Sequence, residues 1–197
     1  MTKNNLIAGV DEVGRGCLAG PVFAAAVILN SNINTNDIKD SKKINFSKRI
    51  LISEYIKKNS IFAVGCASVN EIDKINILNA SLLSMKRALD NLKIKPTVAY
   101  IDGIFIPKDM ALKCKTFIKG DENIPCISAA SIIAKVSRDL FMINLAKKYP
   151  RYSWQKNYGY GTKDHFIGLS KYGVTKHHRK KFKPIHNILL AKKHEAL

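Results

Sequence analysis

Four acidic side chains stand out in a chain that has few of them. Asp11 and Glu12 follow the run "LIAGV", Asp102 ends "TVAYID", and Asp121 stands in "IKGDE". Each comes at the end of a segment with the apolar and β-branched residues of a strand, and Asp102 and Asp121 each touch a glycine. Strand ends at the edge of an α/β sheet are where such folds build sites. Carboxylates crowded there repel one another unless a cation lies between them, and hard oxygen donors favour Mg²⁺ or Mn²⁺ over zinc. Two such ions can activate water and stabilise the leaving oxygen of a phosphodiester. Any one of these acids could equally cap a helix or a turn. The set of four argues for a site.

Asp11 and Glu12 pose a geometric problem, because successive strand residues point to opposite faces. Both serve one site only if the strand ends or twists there, which Gly9 and Gly14 permit. Otherwise Glu12 acts from the edge or through its carbonyl. On spacing alone Glu122 could replace Asp121. Asp139 follows Arg138 inside a helical stretch and reads as half of a structural ion pair or as a cap. The "GRG" of residues 14–16 forms either a loop able to hold phosphate or a plain tight turn.

The elements that must carry these residues follow from periodicity. Residues 5–10, 21–29, 61–69, 97–102 and 112–118 read as strands. Residues 46–58 have helical spacing. Over 71–93, Ile75, Leu78, Leu82, Met85, Leu89 and Leu92 form one apolar stripe, which predicts a continuous amphipathic helix. "ISAASIIAKVSRDLFMINLAKKY" (127–149) is apolar on most sides and rich in small residues, so it predicts a buried helix. Ser128 and Ser131 read there as packing residues. The tail from 150 is basic and aromatic, with short helices around "TKDHFIGLSKYG" and "IHNILLAKKH". Strands followed by alternating helices and strands imply an α/β layered fold on a mixed sheet. We expect one catalytic domain over 1–197, with a core at 1–149 and a helical C-terminal region, 150–197, that contributes to substrate binding.

Of the 197 residues, 46% are hydrophobic and 24% charged, the balance of a globular protein. The longest apolar run, "VFAAAVIL", is far short of a membrane span. The N-terminus lacks the apolar core of a secretory signal. Cys17, Cys66, Cys114 and Cys126 are dispersed, which suggests mostly buried, reduced thiols in a cytoplasmic protein rather than disulfides or zinc ligands. Thirty-three basic against 15 acidic side chains give a net charge of +18. That excess favours a polyanionic partner, nucleic acid before membrane. The Lys-, Asn- and Ile-rich composition keeps charge alone from deciding, since codon bias produces it too. Basic chain, acidic metal site and phosphate-compatible loop together suggest a nuclease.

With these motifs in view the chain resembles the ribonuclease HII (type 2 ribonuclease H) family. "GVDEVGRGCLAGPV" is similar to the family's opening signature. "DSKK" (40–43), "YIDG" (100–103), "KGD" (119–121), "SAASIIAKVSRD" (128–139), "YGYGT" (158–162) and "HRKKFKP" (178–184) follow in the family's order. The resemblance implies an RNase H-like fold with a five-stranded central sheet flanked by helices. It implies cleavage of the RNA strand of RNA–DNA hybrids, and cutting on the 5′ side of a single ribonucleotide in duplex DNA. The ends left would be 3′-hydroxyl and 5′-phosphate, through a water activated at a site holding Mg²⁺ or Mn²⁺, two ions being expected. The family's four carboxylates fall on Asp11, Glu12, Asp102 and Asp121. Its glycine–arginine–glycine motif falls on Gly14, Arg15 and Gly16, and its substrate-sensing tyrosine on Tyr160.

The 2′-hydroxyl is what separates RNA from DNA at one sugar, and it lies in the minor groove. A glycine loop can approach it closely, while a phenol can bond nearby and pack on the neighbouring deoxyribose. Ser41, Lys42 and Lys43 suit contacts to phosphates, which set register but not sequence. His178, Arg179 and Lys180 are further candidates for backbone contacts. The adjacent His177 and His178 lack zinc-ligand spacing. Three positions depart from the family pattern: Cys17 replaces a usual proline, Tyr158 a common basic residue, and Lys181 a common serine. They bear on substrate affinity more than on chemistry. The resemblance also leads us to expect a monomer, with a replication-clamp contact possible.

Three rivals differ in testable ways. Another metal nuclease or transposase-like enzyme of this fold would lack the "GRG" and "YGYGT" pair. Ribonuclease HIII carries an extra N-terminal domain, for which a catalytic block starting by residue 7 leaves no room. A basic, non-enzymatic RNA-binding protein would not need four carboxylates at strand ends.

Overall fold

The computed structural model describes residues 6–35, 38 and 45–194, the side chains of 192–194 excepted. Five strands form one mixed sheet: β1 (Ile7–Val13), β2 (Val22–Leu29), β3 (Ser60–Ala67), β4 (Val98–Asp102) and β5 (Lys113–Phe117), in the order β3-β2-β1-β4-β5. β1 runs antiparallel to β2 and parallel to β4, which runs parallel to β5. Among the described residues, seven α-helices accompany them: α1 (Phe46–Lys58), α2 (Val69–Asp90), α3 (Gly120–Asn123), α4 (Pro125–Lys148), α5 (Trp154–Asn157), α6 (Lys163–Tyr172) and α7 (Lys183–His194). No described helix is long and apolar enough to cross a membrane.

The chain divides into two compact units. The first comprises residues up to Val13, Phe23–Cys66 and Ser81–Ser137; the second comprises Gly14–Val22, Ala67–Ala80 and the chain from Arg138 onward. Helix α4 is shared between the units, and the Gly14–Val22 loop belongs with the tail.

In the first unit the sheet is covered on both faces. Ala8, Val10, Ala24, Ala26, Ala99 and Ile101 pack with Met85, Ala88 and Leu89 of α2. Ala25 and Val27 pack with Ile52 and Ile56 of α1 and with Ala129, Ala130, Ile132 and Ile133 of α4. The small residues of "SAASIIA" let α4 lie very close to β1. A Cβ on Gly9 would stand 2.1 Å from the Cys126 carbonyl carbon and 2.3 Å from the Ile127 nitrogen.

The second unit has its own core, in which Leu18, Ala19, Met142, Tyr152, Trp154, Leu169 and Ile185 pack together. Two of its helix starts carry side-chain caps. Thr162 accepts from the His165 N–H at the start of α6. Ser68 and Glu71 form a reciprocal capping box before α2.

Two expectations need correction. The stripe from Ile75 to Leu92 is not one continuous helix: Asn76 breaks it with φ 68°, and its side chain accepts from the Asn79 N–H at 3.1 Å to start the helix again. The first strand also does not end before the acids. Asp11 pairs with Ala25, Glu12 with Ala24 and Val13 with Phe23, so both acids lie within β1. The cysteines are free thiols, with Cys17 and Cys126 buried, Cys114 half-buried and Cys66 exposed.

Candidate active site

In the first unit Asp11 and Asp102 come to neighbouring positions where the parallel pairing of β1 and β4 ends. The pairing of Val10 with Ile101 brings Asp11 and Asp102 to the next step of neighbouring strands. Asp11 is 6% exposed. Burial raises its carboxyl well above the ordinary aspartate value, and the charges of Glu12 and Asp102 push the same way. Hydrogen bonds from the Ser131 side chain and the Glu12 N–H, the latter at 2.7 Å, oppose the rise. Ser131 is therefore more than a packing residue, as read from the sequence; it orients Asp11.

Asp102 is held by the turn after β5. Its Oδ1 accepts from the Gly120 N–H at 2.8 Å and more weakly from the Asp121 N–H at 3.4 Å. Lys119 adopts a left-handed conformation to make that turn, leading into the short α3. Ser128 Oγ donates to the Asp121 carbonyl at 2.6 Å, so this serine also ties the turn to α4. Asp121 is half-buried, whereas Glu122 is exposed.

The donor set is all oxygen, which suits a hard divalent cation. Among the described residues, no three His, Cys, Asp or Glu side chains already form a cluster able to hold an ion. The electrostatic signature nonetheless fits one. Asp11 registers the charges of both Glu12 and Asp102, as acids sharing a small volume do.

In the second unit two buried arginines organise the glycine loop. Arg179 donates to the carbonyls of Gly14 (2.6 Å), Arg15 (2.7 Å) and Gly20 (3.0 Å). Arg138 donates to those of Pro21 (2.9 Å), Tyr158 (2.9 Å) and Ala19 (3.1 Å). Gly14 has φ 94°, and a Cβ there would meet the Arg138 side chain at 2.1 Å. The "YGYGT" segment is bound to the same loop, since the Leu18 N–H donates to the Gly159 carbonyl at 2.8 Å. Tyr160 is 39% exposed. Its ring edge lies 4.0 Å from where a Gly16 Cβ would stand. Its phenol has the Cys17 side chain as a hydrogen-bond partner, and burial raises its proton affinity. The tyrosine is therefore neutral at ordinary pH.

Not every expected residue takes its expected place. Ser41, Lys42 and Lys43 lie outside the described residues. His178 and Arg179 are fully buried, which does not fit direct side-chain contact with a phosphate backbone. Burial, with Arg138 beside it, pulls the Arg179 guanidinium down to about 10, so it remains charged at neutral pH. The two residues shape the interior rather than touch a ligand. The Arg138 guanidinium, likewise buried, is spent on three carbonyls. Arginine is rarely buried, so residue type hid both clamps. One cue was present: Arg138 lies inside an otherwise apolar, small-residue helix.

The ribonuclease HII family model matches residues 8–185. The ribonuclease HII of Pelagibacter ubique is 56% identical over 184 residues, covering 93% of this chain and 99% of that protein. Among solved structures, the ribonuclease H2 of Pyrococcus horikoshii superposes with a TM-score of 0.79 at 27% identity, covering 95% of this chain and 98% of that one. The ribonuclease HII of Archaeoglobus fulgidus, solved in complex with PCNA, has a TM-score of 0.71 at 25% identity, covering 90% and 95%. A family match over nearly the whole chain, with the five-stranded mixed sheet beneath it, establishes that the chain belongs to the ribonuclease HII family and is a type 2 ribonuclease H endonuclease.

Proposed function

We propose that the enzyme cleaves the RNA strand of RNA–DNA hybrids and cuts on the 5′ side of single ribonucleotides embedded in duplex DNA. The observation that carries this reading is the shared electrostatics of Asp11, Glu12 and Asp102 just beyond the parallel pairing of β1 and β4. Mg²⁺ or Mn²⁺ is the cofactor that such a set suits, with Asp11, Glu12, Asp102 and Asp121 holding it. When bound there, the cation supplies Lewis acidity and neutralises charge on the reacting phosphate.

The chain's own residues prepare that chemistry. The Gly120 N–H fixes one oxygen of Asp102. Ser131 and the Glu12 N–H orient the Asp11 carboxylate. Gly14, Arg15 and Gly16 read the ribose. Two of their carbonyls already accept from Arg179, so contact with a 2′-hydroxyl falls to the loop's N–H groups and to the remaining lone pairs. Tyr160 packs on the adjoining sugar and checks that it is DNA. The basic composition supplies phosphate contacts that set register. The complex of the Archaeoglobus relative with PCNA supports a clamp contact for this chain as well.

The test is to incubate the protein with three duplexes, in Mg²⁺ or Mn²⁺, and map the ends. One carries a single ribonucleotide, one is a uniform hybrid, and one is all DNA. Cutting of the first two with a 3′-hydroxyl left before the ribonucleotide is expected. No cutting with either metal, or equal cutting of all three, would sink the reading. The Asp102→Asn variant keeps the acceptor for Gly120 but loses the charge. It should lose activity by on the order of 10³-fold while still binding substrate. Tyr160→Ala should hurt the single-ribonucleotide duplex more than the uniform hybrid.

A further inference from the structure

A pair of buried histidines in the second unit takes no part in the proposed chemistry, yet their partners fix both tautomers. The Thr175 N–H donates to His178 Nδ1 at 2.9 Å. That nitrogen is an acceptor, so a neutral His178 carries its proton on Nε2. His178 Nε2 lies 3.1 Å from His165 Nε2, which also accepts from Trp154 Nε1–H at 3.1 Å. A nitrogen that accepts carries no proton. His165 is therefore protonated on Nδ1, which donates to the Tyr160 carbonyl at 2.9 Å.

The donors run in one direction, from Thr175 through His178 and His165 to Tyr160. Both rings are fully buried. Burial lowers their proton affinity, which keeps them neutral as this scheme requires. The Tyr160 carbonyl also accepts from the Thr162 N–H at 2.9 Å. Its phenol meets Cys17.

We propose that His165 is a positioning residue for Tyr160, with His178 and Trp154 fixing the tautomer through which it acts. It thereby sets the preference of the enzyme for a ribonucleotide followed by DNA. This inference rests on the reading of Tyr160 as the residue that checks the neighbouring sugar.

Two variants separate positioning from simple packing. An asparagine amide can stand where Nδ1 was, and a glutamine amide where Nε2 was. His165→Asn keeps the donor to Tyr160 and loses the acceptor; His165→Gln does the reverse. Two quantities are measured. One is the ratio of kcat/KM on the single-ribonucleotide duplex to that on a uniform hybrid. The other is amide hydrogen exchange at Tyr160 and Thr162.

The Gln variant should lower the ratio about tenfold and speed exchange by a similar factor, the worth of roughly one hydrogen bond. The Asn variant should stay near wild type in both. In a Tyr160→Ala background, His165→Gln should not change the ratio further. If both variants lose stability alike and leave ratio and exchange unchanged, the proposal is overturned. If Tyr160→Ala itself leaves the ratio unchanged, the sugar-checking role of Tyr160 fails. Exchange then decides positioning: faster in Gln only supports it, and equal exchange in the two variants overturns it.

Discussion

Arg179 Nη2 donates to the carbonyl oxygen of Gly14 at 2.6 Å, and the same guanidinium reaches Arg15 and Gly20. One buried cation thus holds three carbonyls of a loop whose first glycine has φ 94°. A planar fork can satisfy three acceptors at once where an ammonium on a flexible stem cannot. Arg179→Lys should lower folding stability by roughly 2–4 kcal/mol, since charged hydrogen bonds are lost inside the protein. It should also raise KM on a single-ribonucleotide duplex more than it lowers kcat. Urea unfolding and steady-state cleavage check both. A variant with unchanged midpoint and KM would show that the loop holds itself.

Asp11 makes an opposite prediction, in which a proposed metal ligand weakens the fold. Its carboxyl is raised by burial and by the Glu12 and Asp102 charges, so the folded chain holds that proton more tightly than the unfolded chain. The resulting stability is complete below the unfolded value near 3.8 and is lost as pH rises through the folded value. At neutral pH, in chelator, Asp11→Asn should therefore be more stable than wild type, by on the order of 1 kcal/mol. The gain should vanish in acid. Millimolar Mg²⁺ should raise the wild-type midpoint by mass action, to about 2.7 kcal/mol at a hundred times Kd, and the variant's far less. Thermal unfolding across pH, with and without metal, reads all three effects.

His178 sets an acid limit of a different origin. Burial, then the neighbouring His165, lowers it to about 3. Between pH 6.5 and about 3 the unfolded chain takes up a proton that the folded chain refuses, so stability falls as pH falls through that window. The slope from this one group approaches ~1.4 kcal/mol per pH unit, and His165 adds in the same direction. His178→Gln, although less stable at pH 7, should lose less on acidification. Equal pH slopes for wild type and variant would remove His178 as the cause.

Much of this arrangement was legible in the sequence, and the exceptions have physical reasons. Helix 46–58 and the strand ending at Asp102 were readable from local periodicity, and Asp102 and Asp121 stood out as candidates because a carboxylate beside glycine after an apolar run is a local pattern. The break at Asn76 was not, for the apolar spacing continues across it while one side chain changes hands to cap the next helix. The place of Asp11 and Glu12 within β1 depends on pairing with Ala25 and Ala24, a long-range register that no local window contains. Ser131 looked like packing because a small residue in a small-residue helix gives no sign of an acid opposite. The buried roles of Arg138 and Arg179 depend on carbonyls that, Tyr158 excepted, lie more than a hundred residues away in the chain.

Gly9 joins fold and site at one position. Its missing side chain lets the first turn of α4 lie against β1, with the Cys126 carbonyl oxygen 2.2 Å from where a Cβ would be. The obstacle is backbone on both sides, so no rotamer change relieves it. Gly9→Ala must push the start of α4 away from the strand that carries Asp11, at a cost of roughly 1–3 kcal/mol or more. Ser128 and Ser131 lie one and two turns along that helix. The first ties down the Asp121 turn and the second bonds Asp11. The variant should therefore lose activity beyond what its unfolded fraction explains, with a weaker apparent affinity for Mg²⁺ as the signature. Metal titration of cleavage, below the unfolding transition, makes the distinction. An unchanged metal dependence in a destabilised Gly9→Ala protein would mean that the helix relaxes without moving the acids.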